Sequence, residues 1–304
     1  MTYFLNLRTS TSGGEVCDPI VEQIPTSIPI TENTPVPAPI LDIQDAPLVA
    51  KLIRDSAGKN IILAAHGFNV NRADGVRSLS NWESLLQLDA TYLFIGILWP
   101  GDSSWLGALC YPGEGRHAMD AGNRLAVFVD NHLSTAASVS LVSHSLGTRL
   151  VLQAASRMRT PVRQVALMAG AINNDCLIHE YKAATKNIGK ITILASTGDD
   201  VLAMAFPMGN LAEGIVDAGH PYYEAALGHR GPSANTKLPG KFAGPWQIPG
   251  NWKYGHHHYL QIRPQASPPI TVPQDVPPDA PPRPRTVDGW QPSWSAAVVS
   301  TRFR

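Results

Sequence analysis

Five nearly continuous runs of apolar residues occupy the chain between residues 60 and 197. The runs are Asn60–Phe68, Tyr92–Pro100, Ser138–Ser145, Val165–Ile172 and Lys190–Thr197. A strand with one face in water alternates apolar and polar residues, whereas a strand covered on both faces is apolar almost throughout. The runs therefore predict buried strands of a parallel sheet.

Segments beside these runs place apolar residues at helical spacing. The three stripes are Val76, Leu79 and Leu86 after the first run; Ala121, Leu125, Phe128 and His132 before the third; and Leu146, Leu150, Val151, Ala154 and Met158 after the third. Strands that alternate with helices are typical of βα units. The pattern predicts an α/β fold, with a mostly parallel sheet and helices on both of its faces.

Three segments lack this pattern. Residues 1–47 are rich in Pro, Thr and Ser and predict an extension, although Tyr3 to Leu7 alternates enough to add a strand. Residues 203–254 combine Gly and Pro with aromatic residues, which indicates either a lid-like insertion or an excursion packed on the surface. Residues 263–304 predict a second proline-rich extension, whose end is either a strand or disordered. The main domain is then 48–262.

Composition narrows the function classes. The 304 residues are 44% hydrophobic and have a formal net charge of zero, which argues against a nucleic-acid binder or a polybasic membrane surface. Cys17, Cys110 and Cys176 form no CxxC pair, so neither a disulfide framework nor a zinc site is expected. No secretory signal or membrane-spanning run is found, and we expect a cytoplasmic protein with no integral membrane segment. Export by another route stays open.

The stretch LVSHSLGTRL, residues 141–150, surrounds Ser145 with the features of a nucleophile elbow. Such an elbow is a tight turn between a strand and a helix, with small residues on either side of the serine. Gly147 fits the pattern G-x-S-x-G, and Ser143 replaces the first glycine with another small residue. The alternative is that Ser145 only caps the following helix.

A second motif, HGFN at 66–69, ends an earlier predicted strand. An oxyanion hole needs one backbone N–H from the residue after the nucleophile and one from an upstream loop. Leu146 and Phe68 are the expected donors, and Gly67 would let the main chain approach a substrate oxygen. We interpret His66 as holding this loop by hydrogen bonds rather than as a catalytic base.

The motifs HGFN, WPGD at 99–102 and SHSLG at 143–147 resemble the α/β-hydrolase superfamily, especially a poorly characterised bacterial branch with an HGFN loop. The resemblance covers about Lys51 to Leu260. It implies an eight-stranded, mostly parallel sheet and a Ser, Asp, His triad in that chain order. Such a triad requires neither a metal nor an organic cofactor.

The resemblance places the acid after the run Lys190–Thr197, in STGDDVL. A pattern in which the acid directly precedes an apolar pair favours Asp200, before Val201 and Leu202. A spacing of one residue would select Asp199, which stays open as the alternative. Asp175 lies one strand earlier and fits less well.

The base is expected last, in YGHHHYL at 254–260. His256 matches the position in the family best, and His257 is its nearest rival. His220 and His229 are weaker candidates. Neighbouring side chains diverge, and no cysteine or carboxylate ligand set surrounds the three histidines, so no metal site is expected.

These residues favour a serine hydrolase that cleaves a carboxylic ester or a related small-molecule acyl substrate. The aromatic residues of 203–254 favour an apolar acyl or alcohol group. Two alternatives remain: an acyltransferase or perhydrolase that uses the same site, and a non-catalytic binding domain. The proline-rich ends would suit docking to a protein partner.

Overall fold

An eight-stranded sheet forms the centre of the computed structural model, which describes residues 1–25, 35–38, 45–102, 111–204, 225–260 and 290–303. In chain order the strands are β1 (Thr2–Arg8), β2 (Val16–Ile24), β3 (Asn60–Ala65), β4 (Tyr92–Leu98), β5 (Ser138–His144), β6 (Val162–Met168), β7 (Ile188–Ser196) and β8 (Phe242–Ile248). Their order across the sheet is β2-β1-β4-β3-β5-β6-β7-β8. Among these eight described strands, β2 alone runs antiparallel to its neighbour. The predicted mostly parallel α/β fold is confirmed.

Helices connect and cover the strands. They are α1 (Ala46–Ser56), α2 (Arg72–Leu86), α3 (Tyr111–His132), α4 (Gly147–Arg157), α5 (Lys182–Asn187), α6 (Leu227–Arg230) and α7 (Trp290–Phe303). Helix α4 packs against both α3 and α5, whereas α2 packs against α7. None of the helices in the described ranges is long and apolar enough to cross a membrane.

The middle strands of the sheet are buried along almost their whole length. In β3 and β5 every residue except the first is buried. Leu63 of β3, Ile97 of β4 and Leu141 of β5 are 0% exposed. These strands are apolar without alternation because layers of the protein cover both of their faces.

The N-terminal residues belong to the sheet and not to an extension before it. All residues of β1 are buried, and the strand lies between β2 and β4. The proposed boundary at residue 48 is therefore too late for the sheet. Apart from Pro19, the prolines that suggested an extension begin at Pro25, after β2 has ended.

Two further elements lie where the sequence predicted irregular chain. Strand β8 falls inside 203–254, and the C-terminal end forms helix α7 instead of a strand or a disordered tail. Strands β2 and β8 are the two edges of the described sheet, and they contain Pro19 and Pro245. Proline is tolerated at an edge because the missing N–H is not needed by a second neighbour, but it hides the strand pattern. Three of the aromatic residues of 203–254 lie outside the described residues, namely Phe206, Tyr223 and the side chain of Trp246, so the lid-like insertion stays a prediction.

Candidate active site

Ser145, Asp199 and His256 meet at the edge of the sheet where the parallel strands end. Ser145 directly follows β5, and Asp199 follows β7. His256 begins a 3-10 turn, His256–His258, after β8. The carboxyl ends of parallel strands share one edge, so residues far apart in the chain come together there.

Ser145 occupies a strained turn between β5 and α4. Its backbone φ is 53°, in the left-handed region that favours glycine. The N–H of Ser145 donates to the carbonyl of Met168 (3.0 Å), and its carbonyl accepts from the N–H groups of Thr148 and Ala171 (3.1 Å each). These hydrogen bonds hold the conformation that a nucleophile elbow requires.

Small residues allow the turn to close. A Cβ atom at Gly147 would lie 2.5 Å from the carbonyl oxygen of His66, and one at Gly67 would lie 2.7 Å from the Cβ of Ser145. Both distances are far below van der Waals contact, so glycine is needed at each position. Ser143 stands where the motif usually has its first glycine, and its hydroxyl lies 3.1 Å from that of Thr148. A buried polar group is thus given a partner.

His256 joins the serine to a carboxylate. Its Nε2 lies 2.9 Å from the Oγ of Ser145, and its Nδ1 lies 2.8 Å from the Oδ2 of Asp199. Since a carboxylate only accepts, Nδ1–H donates to Asp199 and leaves the lone pair of Nε2 to accept the serine proton. Ser145, His256 and Asp199 are 5%, 7% and 0% exposed, so little water competes for these hydrogen bonds. This arrangement can activate a nucleophile.

The structure brings Asp199, and not the favoured Asp200, to His256. The Oδ1 of Asp199 accepts from the N–H of Leu202 (2.9 Å), so this residue also caps the helical residues 200–204. This hydrogen bond fixes the direction of the Asp199 side chain, whose other oxygen contacts His256. Asp200 is the first helical residue and is exposed. The Oδ2 of Asp175 lies 3.4 Å from the Nε2 of His179 instead.

Neither His257 nor His229 occupies the position of His256 between Ser145 and Asp199. His257 is exposed, and its ring meets that of His256 edge-on at 5.5 Å. His229 contacts the carbonyl of Thr197 at 3.3 Å. His220 lies outside the described residues. Among the residues that the structure describes, no group of three or more His, Cys, Asp and Glu side chains could hold a metal ion.

His66 holds the HGFN loop in place. Its Nδ1–H donates to the carbonyl of Gly67 (2.9 Å), and its Nε2 accepts from the N–H of Trp99 (3.3 Å). The indole N–H of Trp99 donates back to the carbonyl of His66 (2.9 Å), and the two rings stack. Burial lowers the pKa of His66 to about 3. The ring is therefore neutral and serves as a structural link between two loops.

Two backbone N–H groups near Ser145 differ from their neighbours in having no acceptor among the described residues. The neighbouring amides are occupied, since Ser145 N–H donates to Met168 and Asn69 N–H donates to the carbonyl of Gly101 (2.6 Å). Within the described ranges, the N–H groups of Phe68 and Leu146 have no protein acceptor. An oxyanion that forms beside a reacting serine is stabilised by N–H donors that have no other acceptor.

Sequence reasoning did not single out His144, although it lies inside SHSLG. The ring of His144 is buried, and its Nε2–H donates to the backbone carbonyl of His256 at 2.8 Å. Burial holds the pKa of His144 well below its usual value, so this hydrogen bond persists in a neutral ring. His144 thereby links the elbow to the turn that contains the base. Its position next to Ser145 was the only signal in the sequence.

Comparisons with known proteins address the same region. A family model described as "Alpha/beta hydrolase of unknown function (DUF900)" matches residues 44–231. No curated protein matches the chain. An uncharacterized protein from Bacillus cereus is a structural neighbour at 18% identity, with 48% of this chain and 45% of that one covered and a TM-score of 0.33. Esterase B from Lactobacillus rhamnosis is another at 12% identity, with 53% and 63% covered and a TM-score of 0.32. The chain thus spans less than two thirds of either neighbour.

Proposed function

The chain belongs to the α/β-hydrolase family of unknown function whose model matches residues 44–231, and on that premise we propose that it is a serine hydrolase. Its substrate is a carboxylic ester or a related acyl compound, and the reaction passes through an acyl-enzyme. Ser145 is the nucleophile, His256 the base and Asp199 the acid. Phe68 and Leu146 supply the oxyanion hole.

The hydrogen-bonded series Ser145–His256–Asp199 supports this function most directly. The distances of 2.9 and 2.8 Å are within the range of good hydrogen bonds, and the serine has the strained backbone of an elbow. A fold alone does not imply catalysis, because the same fold can serve binding. A binding domain, however, has no need of a strained serine aligned with a buried imidazole.

The proposed reaction follows from these contacts. Nε2 of His256 takes the proton as Oγ of Ser145 attacks the acyl carbonyl, and the N–H groups of Phe68 and Leu146 stabilise the negative oxygen. The carboxylate of Asp199 orients the ring and stabilises the imidazolium. His256 then protonates the leaving alcohol, whose bond to the acyl carbon breaks. Water, deprotonated by His256, attacks the acyl-enzyme and releases the acid together with free Ser145.

Ser145→Ala tests the proposal. We expect the wild type to hydrolyse a p-nitrophenyl acyl ester and to bind a fluorophosphonate probe covalently, whereas Ser145→Ala does neither and keeps its melting temperature within a few degrees. Ser143→Gly is the matched control, because it restores the glycine of the motif and should keep both activities. Mass spectrometry of the labelled protein locates the adduct.

Full labelling of Ser145→Ala would remove this serine from the mechanism. A folded wild type that neither hydrolyses a series of acyl esters nor takes the probe would favour a binding domain. If the acyl group appears on an added alcohol or on peroxide instead of on water, the protein is an acyltransferase or perhydrolase.

A further inference from the structure

Arg8, the last residue of β1, holds two loops of the candidate site from within the core. Its side chain is 0% exposed. Nη1 donates to the carbonyl of Val70 (3.3 Å) and to that of Trp99 (2.8 Å). Nη2 forms an ion pair with Asp102. The guanidinium thus links the chain after HGFN to both ends of the WPGD loop.

The remaining guanidinium donors are also occupied. Nε donates to the carbonyl of Ser10 (3.1 Å), and Nη2 donates to that of Gly13 (3.2 Å). A buried arginine is tolerated only when a carboxylate and several acceptors replace its water. The planar fork of Arg8 supplies five N–H donors in a fixed geometry, whereas the ammonium of a lysine has only three.

The two loops behave as one unit around the expected oxyanion donor. Besides their shared contact with Arg8, the N–H of Asn69 donates to the carbonyl of Gly101, and His66 is bonded to Trp99. Phe68 lies between His66 and Asn69, so the direction of its N–H depends on how these two neighbours are held. The contacts of Arg8 fix the whole unit to β1.

We propose that Arg8 is a positioning residue that keeps the HGFN loop, and with it the N–H of Phe68, in register with Ser145. This inference rests on the proposed serine-hydrolase function. It also makes β1 part of the functional unit, although this strand lies outside the residues 44–231 that the family model matches. A displacement of about 1 Å in an active site can reduce turnover by about 10²-fold.

Arg8→Met and Arg8→Lys test this role. We expect Arg8→Met to lower kcat for a p-nitrophenyl ester by roughly 10²-fold, near the loss of one oxyanion donor, with KM changed less than about threefold. Arg8→Lys, which keeps the charge, should recover part of the loss. The affinity of a trifluoromethyl ketone, which adds to the serine and forms a tetrahedral oxyanion, should fall in parallel with kcat/KM. All values are normalised to active sites titrated with the fluorophosphonate.

Arg72→Met is the matched control. Arg72 is 4% exposed, and its side chain forms an ion pair with Glu22 of β2. It therefore anchors the antiparallel hairpin of β1 and β2 without donating to either loop. We expect Arg72→Met to lower the melting temperature about as much as Arg8→Met, but to change kcat less than about threefold. An equal loss of kcat and of ketone affinity in both variants would mean that loosening the hairpin is sufficient, and would overturn the proposal.

Hydrogen exchange separates this inference from the proposed function. The Asn69 amide should exchange at least about tenfold faster in Arg8→Met than in Arg72→Met, whether or not esters are cleaved. Unchanged exchange at Asn69 would overturn the role of Arg8 even in an active enzyme. A wild type without turnover or labelling would overturn the hydrolase proposal and the effect of Arg8 on turnover. Faster exchange at Asn69 in Arg8→Met would then support loop anchoring alone.

Discussion

The carboxylates of Asp199 and Asp200 differ in what each contacts, and this difference makes a prediction. Asp199→Asn should lower kcat/KM by roughly 10³-fold to 10⁴-fold, because an amide that donates to His256 favours the wrong tautomer. Asp200→Asn should change it less than about threefold, since Asp200 is exposed. Steady-state hydrolysis of a p-nitrophenyl ester by both variants compares them. The opposite ranking would make Asp200 the acid.

At the scale of single residues, sequence patterns locate the short segment that contains a site residue better than they choose between adjacent residues in it. The pattern identified Ser145 and His256, which the structure brings together at 2.9 Å. It favoured Asp200, whereas the structure brings Asp199 to His256, because the direction of each side chain depends on where the helix begins. Asp is favoured as a helix cap, but both aspartates precede the same apolar pair, so this preference did not separate them.

Among the elements, helix α7 packs on the chain that contains the base. Trp294 is 1% exposed, and its ring meets those of Trp252 and Tyr254 edge-on at 5.4 and 5.5 Å. The hydroxyl of Ser295 donates to the carbonyl of Tyr259 (3.0 Å) and accepts from the indole N–H of Trp82 (3.2 Å). The helix therefore joins the histidine turn to α2.

Trp294→Ala should reduce the free energy of unfolding by about 3–5 kcal/mol, as expected for the loss of a large buried aromatic side chain. Urea denaturation followed by circular dichroism measures the change. Val127→Ala on α3, where the side chain is 60% exposed, is the control and should change the free energy by less than about 0.5 kcal/mol. A loss below about 1 kcal/mol in Trp294→Ala would show that α7 contributes little to the fold.

Burial explains which elements the sequence could predict. Strands β3 to β7 were found because their residues are apolar on both faces, which no loop requires. Strands β2 and β8 were missed because each has only one neighbour in the described sheet and contains a proline. Helix α7 follows a proline-rich tract, and its stability comes from packing on distant residues such as Trp252 rather than from its own sequence.

At the scale of the whole molecule, buried neutral histidines make stability depend on pH. Burial lowers the pKa of His66 to about 3 in the folded protein, against about 6.5 for an imidazole in water. As pH falls below 6.5 the unfolded chain gains a proton that the folded protein does not, so stability decreases until pH reaches about 3. His144 acts in the same direction, because burial lowers its pKa as well.

Lowering the pH from about 7.5 to about 5 should therefore reduce the free energy of unfolding by about 2 kcal/mol through His66 alone. Urea denaturation of the wild type and His66→Gln at these two pH values measures the contribution. The variant should be less stable at the higher pH and should lose less stability on acidification. An identical pH dependence in both proteins would show that the pKa of His66 is the same in the folded and unfolded states.

The prolines at the two margins of the sheet also limit how copies of this chain can associate. An open strand edge is a template on which another chain can add a strand, and this is a route to aggregation. Pro19 lies on one of these edges and Pro245 on the other, and proline is one of the residues by which proteins protect an edge strand. Growth of the sheet from one molecule into the next is therefore disfavoured at both ends. At these two edges, self-association that preserves the fold is expected to depend on side-chain surfaces rather than on backbone pairing.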